Sequence, residues 1–224
     1  MPGERLLRHI CARQFEELGP LRRRVLSLLP LSRCATILDA GCGTGLLLEE
    51  LSGLTEARLL GIDADPALLL EAAARCDSGR CDLREADLES SRLPDCDLVV
   101  SSHILGFLRH PGGFLRRARR ALRPDGLYGV LCEYDLCAVR CEGNPRLPPL
   151  LLEALVARGM QPGNTSRMDE LFERAGFSRV HGGIETQRPR APAPEFLEEL
   201  GLDEGEWGSR MIVWPVRWGI YSAG

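Results

Sequence analysis

From Leu38 to Gly45 the chain reads Leu-Asp-Ala-Gly-Cys-Gly-Thr-Gly, an aspartate followed by glycines at alternate positions. Glycines so spaced let a backbone turn tightly and approach a ligand with no Cβ between them. Free amides where a helix begins suit a polar or anionic group. Turns of this kind serve several nucleotide ligands, but Leu46 stands where the dinucleotide fingerprint wants its third glycine, which counts against NAD and FAD. Asp63 closes the next apolar run, where a carboxylate can accept both hydroxyls of a ribose. Glu85-Ala86-Asp87-Leu88 follows a third short run and puts a polar side chain near an adenine amino group. Singly, each carboxylate is equally well a loop residue or a helix cap. Their occurrence together, in this order, points to an adenosine-bearing ligand. His103 comes just after the run Asp97–Ser102 and is the candidate general base, because histidine titrates in the useful range. Its alternative is a helix-start residue bonded to backbone. Glu133 and Asp135 end a later run and either orient an amine, cap a helix or are simply solvated; His9, His110 and His181 have weaker positional claims.

These residues need a scaffold of alternating strands and helices. Strand signals cover Ala35–Asp39, Arg58–Ile62, Arg80–Arg84, Asp95–Ser101 and Leu127–Glu133. Between them lie helix signals at Leu46–Leu51, from Pro66 onward, and at Gly113–Leu122, with proline favoured at a first helical position. Strands separated by such helices imply βαβ units and a largely parallel sheet. Ahead of them, residues 4–29 read as two helical stretches parted at Gly19-Pro20. Beyond Tyr134, helices are expected at Pro148–Ala157 and Met168–Ala175, the latter stopped by Gly176. Strands are expected at Phe177–Ile184 and Arg210–Tyr221, with a loop carrying a short helix over Thr186–Ser209. Pro215 is awkward within the last strand, since a central strand cannot spare an amide donor, and implies a bulge or a later start.

Composition narrows the chemistry. The chain has 224 residues, 44% hydrophobic, enough for one substantial core, and a net charge of -4 that gives no basic footprint for nucleic acid. All 28 basic side chains are arginine. Without lysine, P-loop, pyridoxal and protein-kinase chemistries drop out. The arginines at 116, 117, 119, 120 and 123 spread around a helix without interleaved aromatics and are expected on a solvated outer face. Nine cysteines, with no CxxC pair, match no standard zinc spacing, and no metal is expected. No apolar stretch spans a bilayer, and residues 1–18 lack the apolar segment of a signal peptide, so a cytoplasmic protein is expected. Trp207, Trp214, Trp218 and Tyr221 are candidates to line a pocket, although Trp214 and Trp218 would share one strand face and so fit core packing.

With these motifs in place, the chain resembles the class I S-adenosylmethionine-dependent methyltransferases, of the small-molecule group like the ubiquinone and menaquinone biosynthesis enzymes. The resemblance covers residues 35–133 closely through Ile37–Gly45, Gly61-Ile62-Asp63, Ala86-Asp87-Leu88, Asp97–His103 and Ala121-Leu-Arg-Pro-Asp-Gly126, where Asp125 replaces a usual glycine. A more distant likeness covers Gly163–Phe177. The resemblance implies an α/β fold, a doubly wound, mostly parallel seven-stranded sheet with an antiparallel last strand, plus N-terminal helices. Phe177–Ile184 and Arg210–Tyr221 would then be a closing hairpin. It also implies that Asp39, Gly41 and Gly43 line the methionine end of S-adenosylmethionine, that Asp63 holds its ribose, and that Asp87 and Leu88 flank its adenine. Cys42, Ala64 and Ser101 complete the expected cofactor set. One domain is expected over 1–224: a helical cap at 1–34, a cofactor half at 35–133 and an acceptor half at 134–224. The expected reaction is in-line methyl transfer to oxygen or nitrogen of a small molecule, with neither nucleic acid nor membrane as partner. The alternatives are a non-catalytic S-adenosylmethionine-binding protein, or a thiol-assisted enzyme using Cys132, Cys137 and Cys141 on a soft acceptor such as arsenite.

Overall fold

Strand residues one apart in sequence leave for opposite sides of a sheet, and here both sides are apolar. Ile37, Leu98, Val100 and Leu131 enter one buried cluster, while Leu38, Val99 and Val130 enter another. A sheet with two apolar faces must be covered on both. The first cluster is closed by the helices Gly19–Ser27, Leu46–Ser52 and Leu147–Ala157, and the second by Pro111–Ala121 and Met168–Arg174. The computed structural model describes residues 12–76, 79–187, 197–198, 200–202 and 211–224.

Five parallel strands form the front of the sheet: β1 (Thr36–Ala40), β2 (Arg58–Asp63), β3 (Cys81–Glu85), β4 (Cys96–Ser102) and β5 (Leu122–Tyr134). A two-residue β6 (Arg140–Cys141), β7 (Ser178–Thr186), a two-residue β8 (Ile212–Val213) and β9 (Pro215–Ser222) follow. The seven-stranded order is β3-β2-β1-β4-β5-β9-β7, and β9 runs antiparallel to both neighbours. The chain's last strand is thus the antiparallel one, paired with β7 as the expected hairpin requires. Strand order reverses between β1 and β4, which opens a crevice at their carboxyl ends, the usual ligand position in such sheets.

The structure departs from the sequence expectations in three places. The arginine-bearing helix starts at Pro111 and ends at Ala121, and β5 begins immediately, at Leu122. Leu122 pairs with Cys96 and Leu127 with Leu98, so the Arg123–Gly126 stretch is a bulge inside one strand, with Asp125 at φ 64°. The expected strand over Arg210–Tyr221 is two strands. β8 leaves the main sheet to pair with β6, and β9 starts at Pro215, where the missing amide costs nothing. The Pro215 carbonyl still accepts the Asp135 amide at 2.8 Å. Ahead of the sheet, residues 12–17 are helical and the next helix starts at Gly19, with Pro20 in its first turn. The remainder of the first expected helix, His9, Cys11, Trp207 and most of the 186–209 loop lie outside the described residues.

Candidate active site

The turn after β1 is built by its glycines. Gly41, Gly43 and Gly45 have φ of 76°, 51° and 80°. The amides of Gly41 and Cys42 both donate to the Ile62 carbonyl, at 2.8 and 3.0 Å, which lashes the turn to β2. At Gly45 an added Cβ would lie 2.8 Å from Ala72 Cα, so the glycine admits the helix Pro66–Arg75 against the turn. At Gly43 an added Cβ would meet nothing within 4 Å. That glycine leaves open space beside a backbone held in the left-handed region, the geometry for a ligand's close approach.

Asp63 completes the turn. Its Oδ2 accepts the Gly43 amide at 2.8 Å and its Oδ1 the Asp65 amide at 3.0 Å, so the acid at the end of β2 is tied to the loop after β1. Asp39 is only 2% exposed, and its Oδ2 has no hydrogen-bond partner. Burial pushes its carboxyl up to about 8, and the nearby Asp63 adds to the shift. A buried, unpartnered acceptor beside a second carboxylate is costly unless a donor or cation completes it. Asp39 Oδ2 is therefore an acceptor open to a cationic or hydrogen-donating group.

The next turn joins them through the Ala86 amide, which donates to the Asp63 carbonyl at 2.9 Å. Asp87 is exposed; it accepts the Glu89 amide at 2.8 Å and the Ser90 hydroxyl at 3.0 Å, and the Glu89 amide chiefly holds its carboxyl below the ordinary range. Leu88 is buried in the second cluster with Ile104, and Ala64 is exposed just past Asp63. Asp39, Gly41, Cys42, Gly43, Asp63, Ala64, Asp87 and Leu88 thus share one edge. The Ser101 side chain lies apart from them, fully buried in the sheet and accepting the Tyr128 hydroxyl at 3.1 Å.

His103 follows β4 at φ 58°, its amide donating to the Cys132 carbonyl at 2.9 Å and its ring stacked on Tyr134 at 5.1 Å. Burial, and then the Arg22 charge, lower its pKa to about 4. The ring is uncharged at neutral pH and a weak proton acceptor, less suited to general-base work than a group matched to the working pH. Glu133 is buried and caps the turn Leu105–Phe107, accepting the amides of Ile104 at 2.8 Å and Leu105 at 3.1 Å. Asp135, also buried, accepts Ser166 Oγ at 2.6 Å and Arg217 Nε at 2.7 Å. Both acids therefore do structural bonding.

Two groups near His103 escaped the sequence reading. Arg22, 3% exposed, donates to Glu50 at 2.6 Å and covers the Phe15 ring at 3.3 Å, bridging the N-terminal helices to the helix after the glycine turn. A cavity of about 440 Å³ lies here, lined by Phe15, Arg22, Leu46 and Glu50 among others. Within Arg22-Arg23-Arg24 only helical phase marks it out: it stands four residues from both Leu18 and Leu26, on the buried stripe. Asn164, buried, donates to the carbonyls of Leu105 and Leu108, and nothing in the sequence signals it.

The remaining candidates settle into packing. Arg116, Arg119, Arg120 and Arg123 are exposed; Arg119 donates to the Gly176 carbonyl, Arg123 pairs with Asp97, and the half-buried Arg117 donates to the Leu88 carbonyl. Trp214 lies in the first cluster with Trp218 packed against it, and Tyr221 stacks on Phe172 at 3.8 Å. Cys132 and Cys141 are buried while Cys137 is exposed, and among the described residues no group of three His, Cys, Asp or Glu is placed to hold a metal. Among the described residues, no helix is long and apolar enough to cross a membrane.

Comparison with known proteins agrees with this geometry. A family model described as a methyltransferase domain matches residues 38–130. Over 108 residues the chain is 34% identical to the trans-aconitate 2-methyltransferase of Methylobacterium nodulans, covering 47% of this chain and 41% of that one. Over 106 residues it is 38% identical to the malonyl-[acyl-carrier protein] O-methyltransferase of Hahella chejuensis, covering 45% and 38%. The chain therefore spans less than half the length of these relatives. In shape it matches an S-adenosylmethionine-dependent methyltransferase from Mesorhizobium loti, with a TM-score of 0.60 and 19% identity over 89% of this chain and 96% of that one. Residues 38–130 thus match a methyltransferase domain, and the glycine turn, acidic strand ends and sheet order agree with that match.

Proposed function

We propose that this chain transfers the methyl group of S-adenosylmethionine to an oxygen or nitrogen atom of a small-molecule acceptor by in-line displacement. The observation that carries this reading is the coupling of Asp63 to Gly43 beside the unpartnered Asp39 Oδ2. Asp39, Gly41, Cys42 and Gly43 are assigned to the methionine end of the cofactor, and Asp63 with Ala64 to the ribose. Asp87 and Leu88 are assigned to the adenine, where the Asp87 carboxylate, already committed to Glu89 and Ser90, acts chiefly by shaping the turn. Ser101 supports the site from within the sheet through Tyr128. When bound, the sulfonium supplies an already activated methyl carbon. The chain's task is then alignment and exclusion of water, and orientation alone is worth about 7 to 11 kcal/mol.

Acceptor recognition is assigned to the cap at 1–34 and to residues 134–224. The relative named as an O-methyltransferase favours oxygen as the receiving atom. His103 acts here as an uncharged hydrogen-bonding contact, so the acceptor must supply its own nucleophilic lone pair. Titration calorimetry with S-adenosylmethionine tests the cofactor assignment: Asp63→Ala should weaken binding at least tenfold, and unchanged affinity removes it. Mass spectrometry of a panel of small oxygen and nitrogen acceptors tests the transfer. Tight cofactor binding without any methylated product would favour a non-catalytic binder.

A further inference from the structure

The turn that follows His103 is gripped at both ends by side chains from elsewhere in the fold. At its amino end, Glu133 Oε1 on β5 accepts the amides of Ile104 and Leu105. At its carbonyl end, Asn164 Nδ2, from the short helix Gly163–Ser166, donates to the carbonyls of Leu105 at 3.0 Å and Leu108 at 2.7 Å. Both clamping residues are buried, and the residue entering the clamp has the positive φ that side chains other than glycine rarely adopt. A backbone in that region persists only where its surroundings over-determine it. Here they do: the His103 amide is held by the Cys132 carbonyl, the following amides by Glu133, and the ring by Tyr134.

We propose that Glu133 and Asn164 are positioning residues whose clamp on the Leu105–Phe107 turn holds the His103 imidazole against Tyr134 as a fixed contact for the acceptor. Neither residue is placed to touch the reacting atoms; both act through His103. The clamp stands on geometry alone, and only what His103 faces rests on the methyltransferase reading. Burial raises the Glu133 carboxyl to about 7, against the opposing pull of the Leu105 and Ile104 amides. Its bonds to those amides are therefore made by the neutral acid as well as by the carboxylate, and a glutamine can replace it.

The test combines histidine-edited NMR of the full chain with kinetics. In the parent protein, and in Glu133→Gln, the His103 ring signal should stay unprotonated down to about pH 5. In Glu133→Ala, and independently in Asn164→Ala, it should titrate at least one unit higher. With a working acceptor, both alanine variants should lose at least tenfold in kcat, with the KM for S-adenosylmethionine changed less than twofold, and Glu133→Gln should recover most of the loss. Alanine variants that leave the His103 titration and turnover at parent values would overturn the proposal, as would a glutamine variant as impaired as the alanine one. If Glu133→Ala does not fold, Asn164→Ala decides by the same readouts. If the NMR result is as expected but no acceptor is methylated, the clamp stands and the methyltransferase reading fails.

Discussion

Replacing Asp39 with asparagine keeps the shape of the side chain and removes its ability to ionise. In the folded protein this carboxyl, buried and lacking a partner on Oδ2, sits at about 8, against 3.8 in its ordinary state. At pH 7 the folded form is therefore mostly protonated and the unfolded form ionised. Loading that proton at pH 7 costs about 4 kcal/mol, at roughly 1.36 kcal/mol per unit. The sign follows from the raised folded value: the stabilising difference is fully present below 3.8 and is lost as pH rises through about 8. Asparagine carries no such term. Relaxation of the glycine turn and entry of water reduce the figure, so a gain of about 2 to 4 kcal/mol at pH 7 is expected for Asp39→Asn. Urea unfolding followed by tryptophan fluorescence at pH 4, 7 and 8.5 measures it. The two proteins should be nearly equally stable at pH 4, and the variant should pull ahead by pH 7. Parallel stability curves, or a variant less stable at pH 7, would refute the claim that this acid is buried without compensation. Saturating S-adenosylmethionine should shrink the gap at pH 7, because the ligand's cationic amine can form an ion pair with the parent carboxylate, whereas the asparagine oxygen offers it only a neutral hydrogen bond.

Other perturbations separate the remaining effects. Gly45→Ala should cost about 2 to 5 kcal/mol, about 1 to 2 for the left-handed backbone and about 1 to 3 for the Cβ pressed on Ala72. Gly143→Ala, at φ 76° with nothing within 4 Å, should cost only the backbone share, and equal losses in urea unfolding would dismiss the close contact. Arg22→Met should destabilise the protein by about 3 kcal/mol through the abandoned Glu50 and raise the His103 pKa, since the arginine charge helps to lower it. An NMR titration that does not move would place Arg22 outside reach of the ring. His103 also leaves a pH signature: with its folded value lowered to about 4, its contribution to stability is present above 6.5 and is lost as pH falls through 4. Its replacement by asparagine should flatten stability over that window, which thermal melts at pH 4 to 7 will show. Serine at Cys132, Cys137 and Cys141 together should leave turnover with an oxygen acceptor intact, and loss of more than tenfold would revive a thiol role.

Much of the glycine turn and its acidic neighbour was legible in the sequence because turn chemistry is local. Gly41, Gly43 and Gly45 are needed where the backbone itself must turn, and Asp63 ends a strand whose apolar run is visible in five residues. Alternating strands and helices likewise announce a parallel sheet, since each element must bury one face and short connections leave few ways to do so. The start of β9 at Pro215 was half legible, because a missing amide restricts where a strand can begin. What could not be read are contacts between residues far apart in the chain. Arg22 lies 28 residues from Glu50, and Asn164 lies 59 from Leu105. Sequence likewise left Glu133 poised between orienting an amine and capping, and His103 between base and backbone-bound residue. Packing narrowed both: burial holds the His103 ring uncharged at neutral pH and raises the Glu133 carboxyl, and the hydrogen bonds from Ile104 and Leu105 tie Glu133 to the turn. Turn chemistry is written in neighbouring residues, whereas desolvation and long-range pairing exist only once the chain has closed around them.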